Sequence, residues 1–414
     1  LCGVPVGIKD VTPVAGLRTT YGSPLYRDHV PDEDALVVKR LRAAGALIVG
    51  KTNTPEFAAG GNTWNDVFGR TRNPWDPTRS AGGSTGGGAA ALATGMIALA
   101  EGTDLGGSLR IPASFCGVVG LRPTPGLVPT WPSGWTWDTL QVTGPMARTS
   151  ADVALMLRVI AGENPYAPLG QSGGARESQA GHGEHSPAGT RDPGRRGRLA
   201  WCPDIAGIDI DPGVEAVCRA AVQRIAASGV EVEEIALDLA YARPAFLALR
   251  GLWFLAWMHE HVDQVESLGI NVRNNVKAGL ATSARELADA ERARGRLWHQ
   301  FRVLFETYDH LLTPTMAVPP FPVEQNYPDT IGGRVMATYI DWLAPTFVLS
   351  LTGLPVASVP CGLDAAGLPV GMQVVGRPLS EEAVLEVAGV FELECGIGTP
   401  GNRKYRTGSG KEMR

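Results

Sequence analysis

The stretch from Ser80 to Pro125, SAGGSTGGGAAALATGMIALAEGTDLGGSLRIPASFCGVVGLRPTP, constrains this chain more than any other. Two serines sit in glycine-rich turns, Ser84 in GGSTGGG and Ser108 in TDLGGSLR. The alanine-rich segment between them reads as one helix, Gly86 to Ala100, whose free N-terminal amides point back toward Ser84. Gly102 to Ser108 then reads as a tight turn whose consecutive amides converge on one oxygen. Glycine at this density costs folding entropy that a purely structural loop has no need to spend. The pattern predicts a catalytic cradle.

Three known glycine motifs compete for the stretch. A phosphate-binding P-loop requires Gly-Lys-Ser/Thr, and no lysine follows these glycines. A dinucleotide fingerprint requires a preceding strand, whereas RNPWDPTRSA, with two prolines and an aspartate, reads as loop. Gly82-Gly83-Ser84-Thr85-Gly86 does satisfy the G-x-S-x-G nucleophile elbow of α/β-hydrolases, which would make Ser84 the nucleophile of an esterase. That elbow also needs a strand before it and a histidine base. The seven histidines are His29, His182, His185, His259, His261, His299 and His310; none is near the serines in sequence, and two fall in a low-complexity stretch. Another base is therefore sought.

Lysine is scarce, six residues among 37 basic ones. Unlike arginine, a desolvated lysine can lose its proton near neutral pH and act as a base. Val4 to Ile8 reads as a buried strand with Lys9 at its tip, and Ala46 to Gly50 as a second strand closed by Lys51. Lys39 lies among charges on a helix, Asp34 to Ala44, and reads as a solvated face. For Lys9 and Lys51 alike the plain alternative is an ion pair at a strand end, and the pattern does not choose between them.

The rest of the chain reads as a scaffold. Thr149-Ser150-Ala151-Asp152 is a helix N-cap before VALMLRVIAG. Residues 166–198 lack apolar periodicity and are rich in Gly, Ser, Pro and charge, which predicts a flexible surface insertion, with a lid as the functional alternative. Leu199 to Ile205 reads as a strand, Gly213 to Ser228 as an amphipathic helix and 244–308 as a helical region. The segment LWFLAWMHEHV within that region offers Trp253, Trp257 and Met258 as core residues or as the lining of an apolar substrate pocket. Strands at Val356 to Pro360 and Val370 to Val375 and a helix at Ser380 to Glu394 close the chain. No internal repeat or linker divides it, so 1–414 reads as a single domain.

The net charge of −5 carries no basic signature for nucleic acid. Six cysteines without CxxC spacing suit reduced thiols in a cytoplasmic protein and not a metal site or disulfide framework. The uncharged run from Ser80 to Ala100 is too rich in Gly, Ser and Thr to span a membrane. Leu1 begins almost inside a strand, which suggests that an N-terminal segment is missing from this numbering.

The motifs together resemble the amidase signature family. GVPVGIKD (Gly3 to Asp10), GKTNTPEFA (Gly50 to Ala58), GGSTGG (Gly82 to Gly87) and GTDLGGSLRIPASFCGVVGLRPT (Gly102 to Thr124) are similar to its motifs in their expected order. GPMARTSADVALML, LTGLPVASVPCG and GLPVGMQVVG extend the likeness over most of the chain. The resemblance implies an α/β fold with a large mixed central sheet flanked by helices on both faces. It also implies a Ser-Ser-Lys triad: Ser108 as nucleophile, Ser84 as a bridging serine in a cis peptide and Lys9 as base. An oxyanion hole from the amides of Leu105, Gly106, Gly107 and Ser108 is implied as well. Thr85 and Gly88 depart from the family pattern, where hydroxyl residues are common.

The chemistry this resemblance implies needs no metal or cofactor. The expected activity is hydrolysis of small or aryl carboxamides through an acyl-enzyme, with anilides, esters and carbamates (urethanase-like) within reach of the same carbonyl chemistry. The expected partner is a small-molecule amide or carbamate, with neither nucleic acid nor membrane, and the protein is expected as a monomer or homodimer. A glutamine-hydrolysing subunit of a tRNA-dependent amidotransferase is the alternative. Such subunits usually carry Arg-Gln-Pro-Ala where this chain has Arg110-Ile111-Pro112-Ala113. A non-enzymatic anion-binding protein is the third reading.

Overall fold

A computed structural model of the chain describes residues 1–165, 167–170 and 197–400. Ten strands form one mixed sheet: β1 (Pro5–Lys9), β2 (Leu47–Thr52), β3 (Leu99–Asp104), β4 (Val119–Arg122), β5 (Val142–Ala147), β6 (Arg198–Trp201), β7 (Glu231–Glu234), β8 (His310–Pro314), β9 (Val356–Leu363) and β10 (Pro369–Val375). They lie in the order β2-β1-β3-β5-β4-β9-β10-β8-β6-β7. Parallel pairs occupy the two ends of the sheet, β1 with β2 and β3 at one and β6 with β7 and β8 at the other. The pairs between, from β3–β5 through β10–β8, are antiparallel.

Alternate residues on these strands feed different cores, as a two-residue period requires. On β6, Leu199 and Trp201 enter one apolar cluster and Ala200 the other; on β8, Leu312 and Leu311 divide the same way. Ten α-helices are present among the described residues: α1 (Leu36–Ala43), α2 (Gly86–Ala93), α3 (Arg110–Cys116), α4 (Ser150–Ile160), α5 (Pro212–Ala227), α6 (Ala242–Trp257), α7 (Ile270–Ala281), α8 (Ala284–Thr307), α9 (Ala344–Thr352) and α10 (Glu381–Cys395). Apolar residues of α1, α4, α5 and α10 join the first cluster, and those of α6 to α9 the second, so helices cover both faces.

Helix α5 shows how the sequence makes such an element. Asp211 caps it, accepting from the Gly213 and Val214 amides, with Pro212 in the first turn where its missing N–H costs nothing. Val214, Cys218, Ala221, Val222 and Ile225 then recur at helical spacing and are buried. Each fully buried Val or Ile contributes about 1.5–3 kcal/mol.

The structure corrects three expectations. The helix expected over Gly86 to Ala100 stops at Ala93, because Gly95 takes a left-handed φ of 77° that ends the turn pattern. Leu99 to Asp104 then forms β3, so the tight turn begins after Asp104 and not at Gly102. The strand expected over Leu199 to Ile205 is the shorter β6. The 244–308 region resolves into α6, a 3-10 segment His259–Ser267, α7 and α8. Most of the insertion expected over 166–198 lies outside the described residues. Among the described residues no helix is long and apolar enough to cross a membrane.

Candidate active site

Strand order brings the site together. β1 lies between β2 and β3, and Ile8 pairs with Glu101, so the last residue of β1 faces the end of β3. Lys9 is fully buried there, with Nζ 2.7 Å from Ser84 Oγ. The amine also donates to Thr103 Oγ1 at 2.9 Å and to the Thr103 carbonyl at 3.4 Å. Ser84, buried in the turn before α2, follows a cis Gly83–Ser84 peptide. The Thr85 amide donates to the Ser108 carbonyl at 3.2 Å and so ties the two serine turns together.

Ser108 is the one residue between Leu99 and Cys116 that is not buried. It lines a cavity together with Gly83, Ser84, Leu105, Gly106 and Ile111, so both serines face one space. Asp104 shapes the turn that presents Ser108. Its carboxylate accepts from the Gly107 and Leu109 amides at 2.9 and 3.1 Å and from Nε and Nη2 of Arg110, each at 3.0 Å. Arg122 reaches the same carboxylate at 3.3 Å. Burial alone would raise this carboxyl, but the Arg110 and Arg122 guanidinium groups hold it well below the usual carboxylate range. Gly107 has a φ of 127°, and a Cβ there would lie 2.3 Å from Thr346 Oγ1, so only glycine serves.

One of the four expected oxyanion-hole amides is already occupied. The Gly107 amide donates to Asp104, and Gly107 does not line the cavity. Among the described residues the amides of Leu105, Gly106 and Ser108 donate to no protein acceptor, and all three residues line the cavity. The amides left free of protein acceptors in this turn thus belong to residues that border the space beside Ser108.

Burial pulls the Lys9 amine down to about 7, against the opposing charges of Glu101 and Asp104. Glu101, itself fully buried, accepts from the Lys9 amide at 3.1 Å and from Thr12 Oγ1 at 2.9 Å, and burial pushes its carboxyl up. Lys51 stands elsewhere. Its amine donates to the Thr12 carbonyl and to Thr19 Oγ1 and lies 3.6 Å from Asp10, away from both serines. The structure thus separates two lysines that the sequence left equal.

The cavity at the serines is tight, about 20 Å³, and opens beside a larger one of about 480 Å³. Thr103, Gln141, Trp253 and Trp257 line both. Met258 lines neither; it is 1% exposed and packs in the core. No described histidine lines either cavity, and Ser84 has no strand directly before it, so among the described residues the nucleophile-elbow reading finds neither its base nor its scaffold. Among the described residues no cluster of three or more His, Cys, Asp or Glu could hold a metal. Thr103, Glu101, Arg250 and Tyr339 were not singled out in the sequence; only their neighbours across the sheet and helices mark them.

The sequence model of the family Amidase matches residues 1–385. An acylamidase of Rhodococcus erythropolis is 35% identical over 402 residues, covering 95% of this chain and 81% of its own. A glutamyl-tRNA(Gln) amidotransferase subunit from Roseiflexus castenholzii is 36% identical over 390 residues, covering 87% of this chain and 76% of its own. The crystal structure of a bacterial aryl acylamidase of the amidase signature family shares the fold, with a TM-score of 0.85 at 24% identity over 96% of this chain and 83% of that one. The class is thereby fixed as an amide-hydrolysing enzyme acting on carbon–nitrogen bonds. Within that class the chain belongs to the amidase family, the amidase signature enzymes.

Proposed function

We propose that the enzyme hydrolyses small or aryl carboxamides through an acyl-enzyme on Ser108, with Ser84 relaying protons to Lys9. The observation that carries this reading is the hydrogen bonding of the amine. A neutral Lys9 has two N–H groups and one lone pair. Thr103 Oγ1 and the Thr103 carbonyl accept the two N–H groups, which leaves the lone pair facing the Ser84 hydroxyl 2.7 Å away. Ser84 donates its proton to Lys9 and takes one from Ser108, whose Oγ forms a bond to the substrate carbonyl carbon. The carbonyl oxygen becomes an oxyanion held by the Leu105, Gly106 and Ser108 amides, each donor worth on the order of 3 kcal/mol. The relay run backwards protonates the leaving nitrogen as the C–N bond breaks. Water activated by the same relay then breaks the acyl ester and restores Ser108.

The leaving nitrogen must face the proton donor. Val11, Thr12 and Pro13, which follow Lys9, line the larger cavity, and so do Trp131 and Trp135. This supports a bulky, aromatic amine in the larger cavity and a compact acyl group in the tight one. Esters, anilides and carbamates (urethanes) present the same carbonyl and leaving-group geometry.

The glutamine-hydrolysing alternative draws support from the amidotransferase relative. The lining of the tight cavity opposes it: among the described residues none there is acidic to pair with the α-ammonium of glutamine, the one carboxylate of the two linings being Asp138 of the larger cavity, and Ile111 lines the wall. A turnover screen of the purified chain alone across an aryl amide, an anilide, an ester, a carbamate and glutamine tests the reading. Turnover of aryl amides without a partner chain supports it; turnover of glutamine alone overturns it.

A further inference from the structure

We infer that Arg250 reads an acidic acyl group, so that the preferred substrates are monoamides of short dicarboxylic acids. The inference rests on the proposed acylation of Ser108. Helix α6 presents Phe246, Leu249, Arg250, Trp253 and Phe254 along one buried stripe, and Arg250 is the one cation in it. It is 5% exposed, yet among the described residues it forms no ion pair. Its partners are neutral: Nε donates to Asn275 Oδ1 at 2.9 Å, and Nη2 donates to the Tyr339 hydroxyl. The guanidinium also lies 4.8 Å from the Phe254 ring centre and 5.5 Å from that of Tyr339.

A buried cation without a carboxylate is costly unless something neutralises it when the site is in use. Among the described residues Arg250 is the only charged one lining the cavity that holds Ser84 and Ser108, and it does not line the larger cavity. The complementary charge therefore belongs to the acyl part of the substrate and not to the amine. A carboxylate suits the guanidinium fork, and a short spacer is what would join it to a carbonyl at Ser108, because Arg250 and Ser108 line the same small cavity.

Binding rather than turnover tests this, so that the result stands apart from the catalytic assignment. Calorimetry on the Ser108→Ala protein compares N-phenylsuccinamic and N-phenylglutaramic acids with neutral N-phenylbutyramide. The expected result is at least tenfold tighter binding of one of the acids. Adding Arg250→Gln brings the ratio to about one. Adding Asn275→Asp also removes it, because a resident carboxylate then neutralises the guanidinium in place. A purely structural Arg250 would be better held by that carboxylate, and the ratio would be unmoved. Equal binding of acid and neutral amide by the Ser108→Ala protein, or a ratio that survives Asn275→Asp, overturns the inference. Failure of the unsubstituted enzyme to hydrolyse any amide would instead overturn the proposed function.

Discussion

Lys9 Nζ lies 2.7 Å from Ser84 Oγ with both residues fully buried, so the amine and the hydroxyl are in direct contact. Three turns of chain converge on that contact: the tip of β1, the glycine turn before α2 and the end of β3, where Thr103 takes the remaining amine hydrogens. The first consequence concerns pH. Burial lowers the Lys9 pKa to about 7, so the neutral, proton-accepting form prevails above that value and is lost below it. The acid limb of kcat/KM should fall with a slope of one as pH drops through about 7, with no loss on the alkaline side up to about pH 9. Lys9→Arg, which keeps a proton at every pH of interest, should lower kcat by about 10⁴-fold or more.

Glu101 should set the position of that limb. Its charge favours protonated Lys9, so Glu101→Gln should move the acid limb to lower pH while the enzyme stays folded. The pH profile of the variant against the parent checks this; an unmoved limb would mean that Glu101 carries no charge in the working enzyme.

The oxyanion turn should be intolerant of any side chain. Gly107→Ala drives a Cβ toward Thr346 Oγ1, which donates to the Gly106 carbonyl at 2.6 Å and so holds the turn. Displacing the neighbouring amides should lower kcat by roughly 10²-fold, the usual cost of one oxyanion donor. Steady-state kinetics on an aryl amide measures it, and KM should change much less than kcat.

Asp104 is a stability prediction. Asp104→Asn leaves Arg110 and Arg122, both 0% exposed, without their carboxylate, and should cost about 3–5 kcal/mol. Denaturant unfolding of parent and variant reads this as a shift in midpoint. The native Asp104 charge also makes stability fall at low pH: its folded pKa lies below the unfolded one, so its contribution is present above about pH 4 and is lost as acid protonates it.

Much of this architecture was legible locally. The strand at Val4 to Ile8, the Thr149 cap, whose side chain accepts from the Asp152 amide, and the α5 and α10 helices follow from spacing and turn chemistry. What spacing could not supply was which elements become neighbours. Lys9 and Lys51 are equivalent as strand-end lysines; they differ because β1 is flanked by β3 whereas β2 is an edge strand. The Gly86 to Ala100 segment misled because alanines favour helix on both sides of Gly95, and the strand beyond carries a buried Glu101 that breaks the apolar run. On α6, Trp253 and Trp257 face the cavities, whereas Met258, the residue just past the helix end, turns into the core. Arg250 escaped notice because a charge in an aromatic stripe gains meaning only from the space in front of it.

The proposed function stands or falls with Ser108 as the hydroxyl acylated during turnover, served by an amine and not by a histidine. Its most direct test is peptide mass spectrometry of the enzyme quenched after reaction with a fluorophosphonate. The predicted result is one adduct, on the peptide carrying Ser108, absent from Ser108→Ala and retained when His261 or His299 is replaced by alanine. An adduct on Ser84 that persists in Ser108→Ala would contradict the account.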